Sequence, residues 1–279
     1  MIRYAVVLLC CSIGCSAGPL FVISSHKPDG IYKVDPAGNV VWNYTDIRHP
    51  QALDADKGGS IFCSEISGAR MISGKGKLLW RYTVPEGMQN PVARILGEGR
   101  YLVGNEGPGV LLEIDSFGRT LERIPLAPDN HAHHGQFRFC RKTAYGSYLA
   151  PLTRDGKVQE VSRDGEVMNE FTSLRQPVGA VRLSNGNTLI GSFRRLDEFN
   201  PEGQLIWTFN PVEDGNLPEG EGGHVCEIRP LEDGRIAFTF YHTNSAWPDI
   251  MVVNKAKKVL SRTVLPEIDK VAGLYVVSE

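Results

Sequence analysis

The stretch Val34-Asp35-Pro36-Ala37-Gly38-Asn39-Val40-Val41-Trp42-Asn43-Tyr44 decides how this chain folds, because similar stretches recur along the sequence. They surround Gly76, Gly118, Gly165 and Gly203, and a sixth has Lys257 at the glycine position. Three residues before each of these positions stands an Asp, Asn or Ser: Asp35, Ser73, Asp115, Ser162, Asn200 and Asn254. That spacing is the preference of a type I turn, and apolar residues flank it on both sides. Each stretch therefore predicts a β-hairpin.

The spacing of the hairpins predicts a repeat architecture. The five glycines follow one another at intervals of 38, 42, 47 and 38 residues, and the last interval, to Lys257, is 54 residues. Periods of about 40 to 50 residues with several short strands are typical of propeller blades. A blade buries its faces only against neighbouring blades, so residues 18–279 are expected to form one closed domain. We predict an all-β, six-bladed β-propeller with four-stranded antiparallel blades.

The two ends of the chain indicate how the ring closes. The first blade has only three predicted strands, over 20–24, 31–34 and 40–44, whereas the later blades have four. An additional strand is predicted at the C-terminus, over 271–278. Joining it to the first blade would complete that sheet and close the ring without leaving a free edge. We therefore expect the C-terminal strand to close the propeller.

The repeats resemble PQQ-like (quinoprotein-type) β-propeller repeats, in which an Asp-x-x-Gly turn leads into a strand that carries Trp. Gly38, Gly76 and Gly203 are followed four residues later by Trp42, Trp80 and Trp207, as in that pattern. The resemblance implies fold rather than activity. Dehydrogenases of that superfamily place an adjacent cysteine pair beside the quinone. The adjacent pair in this chain, Cys10-Cys11, lies in the N-terminal segment, so PQQ is not expected as a cofactor.

The N-terminal 17 residues are predicted to be an export signal. Arg3 is followed by an apolar run over 4–13 and by the small-residue segment Cys15-Ser16-Ala17. An alternative is a lipoprotein signal in which Cys15 is acylated and tethers the protein to a membrane. Both alternatives place the protein outside the cytoplasm, in the periplasm or the extracellular space.

Composition argues against nucleic-acid binding and against a framework of disulfide bonds. Thirty Lys and Arg residues balance 32 Asp and Glu residues, giving a net charge of −2, so nucleic-acid binding is not expected. Beyond the signal, Cys63, Cys140 and Cys226 are an odd number in different blades. We expect them to be buried as small apolar residues rather than to form a disulfide framework.

The order of the strands divides the loops between two faces. The A–B and C–D turns lie on one face, which we call the turn face. The B–C turns and the links between blades lie on the other face, which we call the link face. The turn face has plain turn sequences such as Glu232-Asp233-Gly234. All seven histidines fall on the link face: His26, His49, His131, His133, His134, His224 and His242.

These positions predict a funnel on the link face around the axis. The candidate catalytic residues are His134, His224 and Arg138, because an imidazole can act as nucleophile or proton shuttle and a guanidinium binds oxyanions. The candidate ligand-binding residues are His49, Asn90, His131, His133, Gln176, Arg194 and His242. A divalent metal held by the histidines is a weaker expectation, because no acidic partner stands at a diagnostic spacing.

The sequence leaves two functions open. The first is an exported binding protein or scaffold whose funnel holds a small polar, anionic or carbohydrate ligand, or whose link face binds a protein partner. The second is an enzyme, because the chain also resembles arylsulfotransferases, which are exported six-bladed propellers. That resemblance implies transfer of sulfate through a histidine nucleophile, with His134 or His224 in that role and Arg138 or Arg194 binding the sulfate. The chain is much shorter than those enzymes.

Overall fold

The computed structural model describes residues 19–131, 134–219, 222–242 and 246–277. Within these ranges 24 β-strands form six antiparallel sheets of four strands. No helix in the same ranges is long and apolar enough to cross a membrane. The predicted export signal with Cys15, and the candidate residue His133, lie outside the described residues. The predicted six-bladed β-propeller is confirmed.

The blades follow one another along the chain, and the strands of each blade run from the axis outward in the following order. Blade one is β24 (Asp269–Val277), β1 (Leu20–Lys27), β2 (Asp29–Val34) and β3 (Val40–Tyr44). Blade two is β4 (Leu53–Ala55), β5 (Ile61–Glu65), β6 (Gly68–Ile72) and β7 (Leu78–Thr83). Blade three is β8 (Ala93–Gly97), β9 (Arg100–Asn105), β10 (Val110–Asp115) and β11 (Thr120–Pro125).

The remaining three blades have the same order. Blade four is β12 (Arg141–Lys142), β13 (Tyr148–Leu152), β14 (Lys157–Val161) and β15 (Val167–Phe171). Blade five is β16 (Gly179–Arg182), β17 (Thr188–Ser192), β18 (Arg195–Phe199) and β19 (Leu205–Phe209). Blade six is β20 (His224–Pro230), β21 (Ile236–Tyr241), β22 (Ile250–Val253) and β23 (Val259–Thr263).

The C-terminal strand closes the ring as predicted. Strand β24 pairs antiparallel with β1, with Leu20 opposite Val277 and Val22 opposite Tyr275. It is the innermost strand of blade one, so the last strand of the chain lies next to the axis. The buried side chains of Val271 and Leu274 pack in a cluster with residues of blade six. The closure is therefore stabilised both by backbone hydrogen bonds and by burial of apolar surface.

The recurring turns have the predicted geometry. In each of the six C–D turns, the amide at the glycine position donates to the carbonyl three residues earlier, at 2.8–3.1 Å. Gly38 has a φ of +90°, and even Lys257, which replaces glycine in blade six, has a φ of +62°. The Asp35 carboxylate accepts the N–H groups of Ala37 and Asn39, both at 2.9 Å. The strand register shifts next to each turn, as in a G1 bulge.

The innermost strand of blade four is shorter than predicted, because it begins at Arg141 rather than near residue 136. The preceding segment bonds sideways to blade three. The Phe137 N–H donates to Glu106 Oε1 at 3.3 Å, and the Gly107 N–H donates to the Gln136 side chain at 2.9 Å. Phe139 has a φ of +26°, which interrupts the extended backbone. These contacts hold the segment near the axis on the link face, where the funnel is predicted.

Charged side chains fill the axis deeper in the propeller. The Glu227 carboxylate is buried and lies 3.0 Å from Arg94 Nη1 and 3.8 Å from Arg229 Nε, and it also pairs with Arg141. Burial outweighs the attraction to Glu227 and lowers the pKa of Arg141 to about 9. Because these residues belong to the innermost strands of three blades, their ion pairs tie the blades together around the axis. Cys63, Cys140 and Cys226 are free and buried, which confirms the interpretation of the cysteines.

Candidate ligand-binding funnel

A cavity of about 680 Å³ opens on the link face, around the axis. Its volume falls within the roughly 300–1,000 Å³ that is typical of small-molecule sites. Its walls come from the links that enter the innermost strands and from the B–C turns of neighbouring blades. We call this cavity the funnel. Of the residues predicted to form a site, it brings together His49, His134, Arg138, Gln176 and His224.

The floor of the funnel is apolar. Phe139, Val178, Cys226 and Ala272 come from four different blades, and they cluster together near the start of the innermost strands. Each of these four side chains is buried in the packed structure apart from the face that it turns to the cavity. A ligand that reaches the floor therefore meets carbon and sulfur atoms rather than hydrogen-bonding groups. The polar groups of the funnel lie around its wall.

His134 and Arg138 form a connected pair on the blade-four wall. Arg138 Nη2 lies 3.3 Å from His134 Nε2, and His134 Nδ1 lies 2.8 Å from Gln89 Oε1. Because a guanidinium only donates, Nε2 is the acceptor and Nδ1 carries the proton. Burial, followed by the nearby Arg138 and Arg154, lowers the pKa of His134. His134 is therefore a neutral imidazole whose Nε2 lone pair faces a cation.

Three further hydrogen bonds hold the arginines of this wall in place. Arg138 Nη1 donates to Glu106 Oε1 at 2.8 Å and to the Phe137 carbonyl at 3.0 Å. Arg154 Nε donates to the His134 carbonyl at 2.7 Å, and its terminal nitrogens have no hydrogen bond to the described residues. Glu106 is fully buried beneath Arg138, so its carboxylate does not line the funnel. The wall thus presents one paired and one unpaired guanidinium.

His224 lies on the blade-six wall and contacts blade five. Its Nε2 lies 2.9 Å from Gln176 Oε1, and its ring packs edge-on against Phe193 with centroids 5.2 Å apart. Burial, followed by the charge of Arg175, lowers the pKa of His224. The His224 and Gln176 side chains form a neutral hydrogen-bonded pair across the boundary between the blades.

The third part of the wall is a cluster of three rings. His26 Nδ1 lies 3.2 Å from the Tyr241 hydroxyl, and the His26 and His49 rings meet edge-on with centroids 5.5 Å apart. Burial, followed by the charge of His49, lowers the pKa of His26 to about 4. Burial also raises the pKa of Tyr241. His26 and Tyr241 are therefore both neutral at pH 7, and together with the His49 ring they give this part of the wall an aromatic surface.

The charged side chains that line the funnel are all positive among the described residues. Arg138, Arg154 and Lys270 line it, whereas no Asp or Glu side chain is among its described lining residues. His26, His134 and His224 have lowered pKa values, so the fixed positive charge comes from the two arginines and the lysine. A recess lined by charge of one sign raises the local concentration of ions of the opposite sign.

Some residues of the funnel lining have strained backbone angles. His49, Gln176 and Lys270 have φ values of +45°, +51° and +57°, although none of them is a glycine. Residues other than glycine seldom adopt this region, and each instance costs about 1 kcal/mol or more. All three line the funnel, at the entrances of the innermost strands. The strain fixes the direction in which their side chains leave the backbone.

Four residues predicted to bind ligand do not line the funnel. Asn90 is fully buried, and its amide bonds to backbone groups of Gly68 and Gly104 at 2.7 and 2.8 Å. His242 is buried beside Asp249 in a separate cavity of about 470 Å³. The guanidinium of Arg194 lies over the Phe193 ring, 5.2 Å from its centroid. His131 is exposed outside the cavity. His133 is outside the described residues.

The lining residues that were absent from the predicted set include His26, Tyr241, Arg154 and Lys270. The first three belong to the link face, but nothing in the sequence shows that their side chains turn toward the axis. Lys270 had a usable signal, because it stands two residues before a floor residue, as Gln176 and His224 do. Once the C-terminal strand is taken as the innermost strand of blade one, its entrance residue must also face the funnel.

The described residues give no support to a metal in the funnel. Among them, no three His, Cys, Asp or Glu side chains come together as a metal site needs. The funnel histidines bond to amide, hydroxyl and guanidinium groups instead.

Comparison with solved structures places this chain among the β-propellers. A protein of unknown function from Bacteroides caccae matches with a TM-score of 0.82 at 24% identity, over 94% of this chain and 99% of that one. A catalytically inactive virginiamycin B lyase from Staphylococcus aureus with quinupristin matches with a TM-score of 0.64 at 13% identity, over 95% and 93% of the two chains. A chain of a nidogen/laminin complex matches with a TM-score of 0.66 at 12% identity, over 94% of this chain and 99% of that one.

These likenesses establish the architecture, a six-bladed β-propeller, and not an activity. No protein-family model matches the sequence, and no curated protein matches it. The neighbours do not confirm the PQQ-like nature of the repeats, which stays a prediction.

Proposed function

We propose that this protein binds a small anionic ligand in the funnel on its link face. The observation that carries this proposal is the charge of the lining: Arg138, Arg154 and Lys270 line the cavity without any carboxylate among its described lining residues. An arginine offers a planar fork of N–H donors that suits carboxylate, phosphate and sulfate groups. The apolar floor formed by Phe139 and its neighbours then contacts the uncharged part of the ligand. A binding or scaffold role agrees with the fold.

A second candidate function is catalysis by His134. Its Nε2 lone pair faces Arg138 at 3.3 Å, so an oxyanion bound by Arg138 would lie next to that atom. In an arylsulfotransferase-like reaction, Nε2 would bond to the sulfur of an aryl sulfate while the bond to the phenol oxygen breaks. A second phenol would then take the sulfuryl group from the histidine. The neighbouring lyase is described as inactive with a histidine replaced by alanine, so a propeller of this kind can use histidine chemistry.

Binding is tested by isothermal titration of the wild type with sulfate, phosphate, 4-nitrophenyl sulfate, benzoate and a panel of oligosaccharides. Arg138→Met should weaken anion binding about tenfold or more, because it removes a charged donor at a partly desolvated site. Arg119→Met is the control, since Arg119 is an exposed arginine in a C–D turn on the turn face. Failure of every anion to bind, or equal losses in both variants, would refute the anion-binding proposal. Oligosaccharide binding without anion binding would favour a carbohydrate ligand instead.

Turnover is tested separately, by following phenol release from 4-nitrophenyl sulfate with a phenol acceptor. His134→Gln should abolish release while anion binding at Arg138 and Arg154 persists. Binding without release in the wild type would leave the binding function and exclude sulfate transfer with this substrate.

We also propose that the protein works outside the cytoplasm, because residues 1–17 are predicted to be an export signal. The N-terminal mass of the exported protein tests this. Processing at residues 15–17 is expected, and the mass distinguishes simple cleavage from acylation of Cys15. An intact N-terminus on a protein that stays in the cytoplasm would refute export.

A further inference from the structure

The positive charges of the funnel stand on opposite walls. Arg138 and Arg154 belong to blade four, in the link and the B–C turn of that blade. Lys270 belongs to strand β24, the innermost strand of blade one. In a closed ring of six blades, blades one and four are three steps apart in either direction, and therefore face each other across the axis. All three side chains line the same cavity.

Two of these cations lack an ion pair among the described residues. Arg138 pairs with Glu106 at 2.8 Å, but neither Arg154 nor Lys270 has a carboxylate within ion-pair distance in the described part of the chain. Asp269, which precedes Lys270, accepts the Lys270 backbone N–H at 2.9 Å and lines the neighbouring cavity rather than the funnel. Each wall therefore has one cation whose charge is available to a ligand.

The space between the two walls is lined by apolar, aromatic and amide groups. The floor is apolar, and the flanking walls carry the ring cluster of His26, His49 and Tyr241 on one side and the His224–Gln176 pair on the other. Lys270 is also held at a strained backbone angle, with a φ of +57°, at the point where β24 enters the funnel. Strained backbone positions tend to cluster at active sites and ligand-binding sites.

We propose that the ligand of the funnel is a dianion with an acidic group at each end and an apolar middle. One acidic group binds Arg138 and Arg154 on blade four, and the other binds Lys270 on blade one. The apolar middle crosses the floor formed by Phe139 and its neighbours. This inference rests on the proposed anion-binding function and adds a requirement for two acidic groups.

The test uses α,ω-dicarboxylates of four to ten carbons, terephthalate, and monoacids of matched size, including butyrate, octanoate and 4-methylbenzoate. Isothermal titration of the wild type should find at least one dicarboxylate that binds about tenfold or more tightly than its matched monoacid, because two charge-assisted contacts replace one. Lys270→Met keeps the side-chain stem and removes the charge. In that variant the best dicarboxylate should bind about as weakly as its monoacid, whereas monoacid affinity should stay within about twofold.

Arg154→Met gives the complementary result. It should weaken the monoacid and the dicarboxylate together, because the blade-four wall holds the first acidic group. Lys258→Met, at an exposed lysine in the C–D turn of blade six on the turn face, should change neither affinity. Thermal unfolding of each variant without ligand shows whether the fold is intact.

The outcomes separate the two proposals. Binding of monoacids without any gain from a second acidic group, or an unchanged gain in Lys270→Met, overturns the dianion proposal and leaves the anion-binding function. Absence of binding for every monoacid and dicarboxylate overturns both.

Discussion

His26 links the stability of the propeller to pH in a way that can be measured. Its ring is mostly buried between Tyr241 and His49, and burial with the charge of His49 lowers its pKa to about 4. In the unfolded chain the pKa of a histidine is about 6.5. When the pH falls below about 6.5, His26 becomes protonated in the unfolded state, whereas in the folded state it stays neutral until about pH 4. The free energy of unfolding therefore decreases as the pH falls through this window.

The magnitude follows from the separation of the two pKa values. Between about pH 8 and pH 5 the unfolded state gains almost one proton at His26 and the folded state almost none, which costs about 2 kcal/mol. Partial exposure of the ring reduces this to about 1–2 kcal/mol through solvent screening. The buried carboxyl of Asp249 acts in the opposite direction, because burial raises its pKa to about 7 and its folded form gains a proton first. The wild-type pH dependence alone therefore does not isolate His26.

A comparison of His26→Gln with the wild type isolates it. Urea unfolding at about pH 8 and pH 5 gives a free energy for each protein, and the contribution of Asp249 cancels in the difference between the proteins. The variant should lose about 1–2 kcal/mol less than the wild type over this range. His131→Gln, at an exposed position, is the control and should follow the wild type. Parallel losses in the wild type and His26→Gln would refute the assigned burial and pKa of this ring.

Three other predictions concern the C–D turns, the closing strand β24 and the ion cluster around Glu227. Gly203→Val, at a φ of +79°, should lower the free energy of unfolding by roughly 1–3 kcal/mol, whereas Lys257→Gly should raise it by up to about 1 kcal/mol; urea unfolding in the opposite order would contradict the turn geometry. Deletion of residues 269–279 removes β24 and should produce aggregates in size-exclusion chromatography, and a monomer with wild-type melting temperature would disprove closure by this strand. Glu227→Gln leaves the buried Arg94 and the partly buried Arg141 and Arg229 without their shared anion, and it should cost about 3 kcal/mol or more in thermal and urea unfolding. A neutral effect would mean that this ion cluster does not stabilise the fold.

The turns, the number of blades and the ring closure were predictable because each depends on residues that are close in the sequence. An Asp or Ser three residues before Gly specifies a turn through its own hydrogen bonds, as Asp35 does with Ala37 and Asn39. Repetition of that turn gives the number of blades, and the unmatched C-terminal strand gives the closure. Even Lys257, which lacks the glycine, keeps the left-handed backbone of the turn, with a φ of +62°. Each of these features depends on residues that are close in the chain.

The sequence predicted on which face the candidate site lies, but not which side chains on that face point into the funnel. Asn90 and Gln176 both precede a proline before an innermost strand, and the sequence offers no reason to separate them. In the structure Asn90 is buried because its amide satisfies the backbone of Gly68 and Gly104, whereas Gln176 has a φ of +51° and turns toward His224. His242 likewise turns into the separate cavity beside Asp249. These differences arise from contacts between segments that are distant in sequence, which no local pattern encodes.

The turn face has uniform sequences and the link face has varied ones, and this difference has a physical cause. On the turn face, each C–D turn must keep a left-handed residue at its fourth position and an acceptor at its first, so its sequence is constrained by its own geometry. On the link face, the entrance of an innermost strand needs only to bring the chain to the axis, and each blade supplies its own residue at that point. Gln176, His224 and Lys270 occupy equivalent entrances with three different chemistries, two neutral and one cationic. Their combination around one axis is what allows a repeated fold to form a site without internal symmetry. A ligand in the funnel would contact several blades at once, and its binding would stabilise the closed ring by an amount set by its affinity and concentration. If the dianion binds about tenfold more tightly than its matched monoacid, it should raise the melting temperature more than the monoacid does at the same concentration.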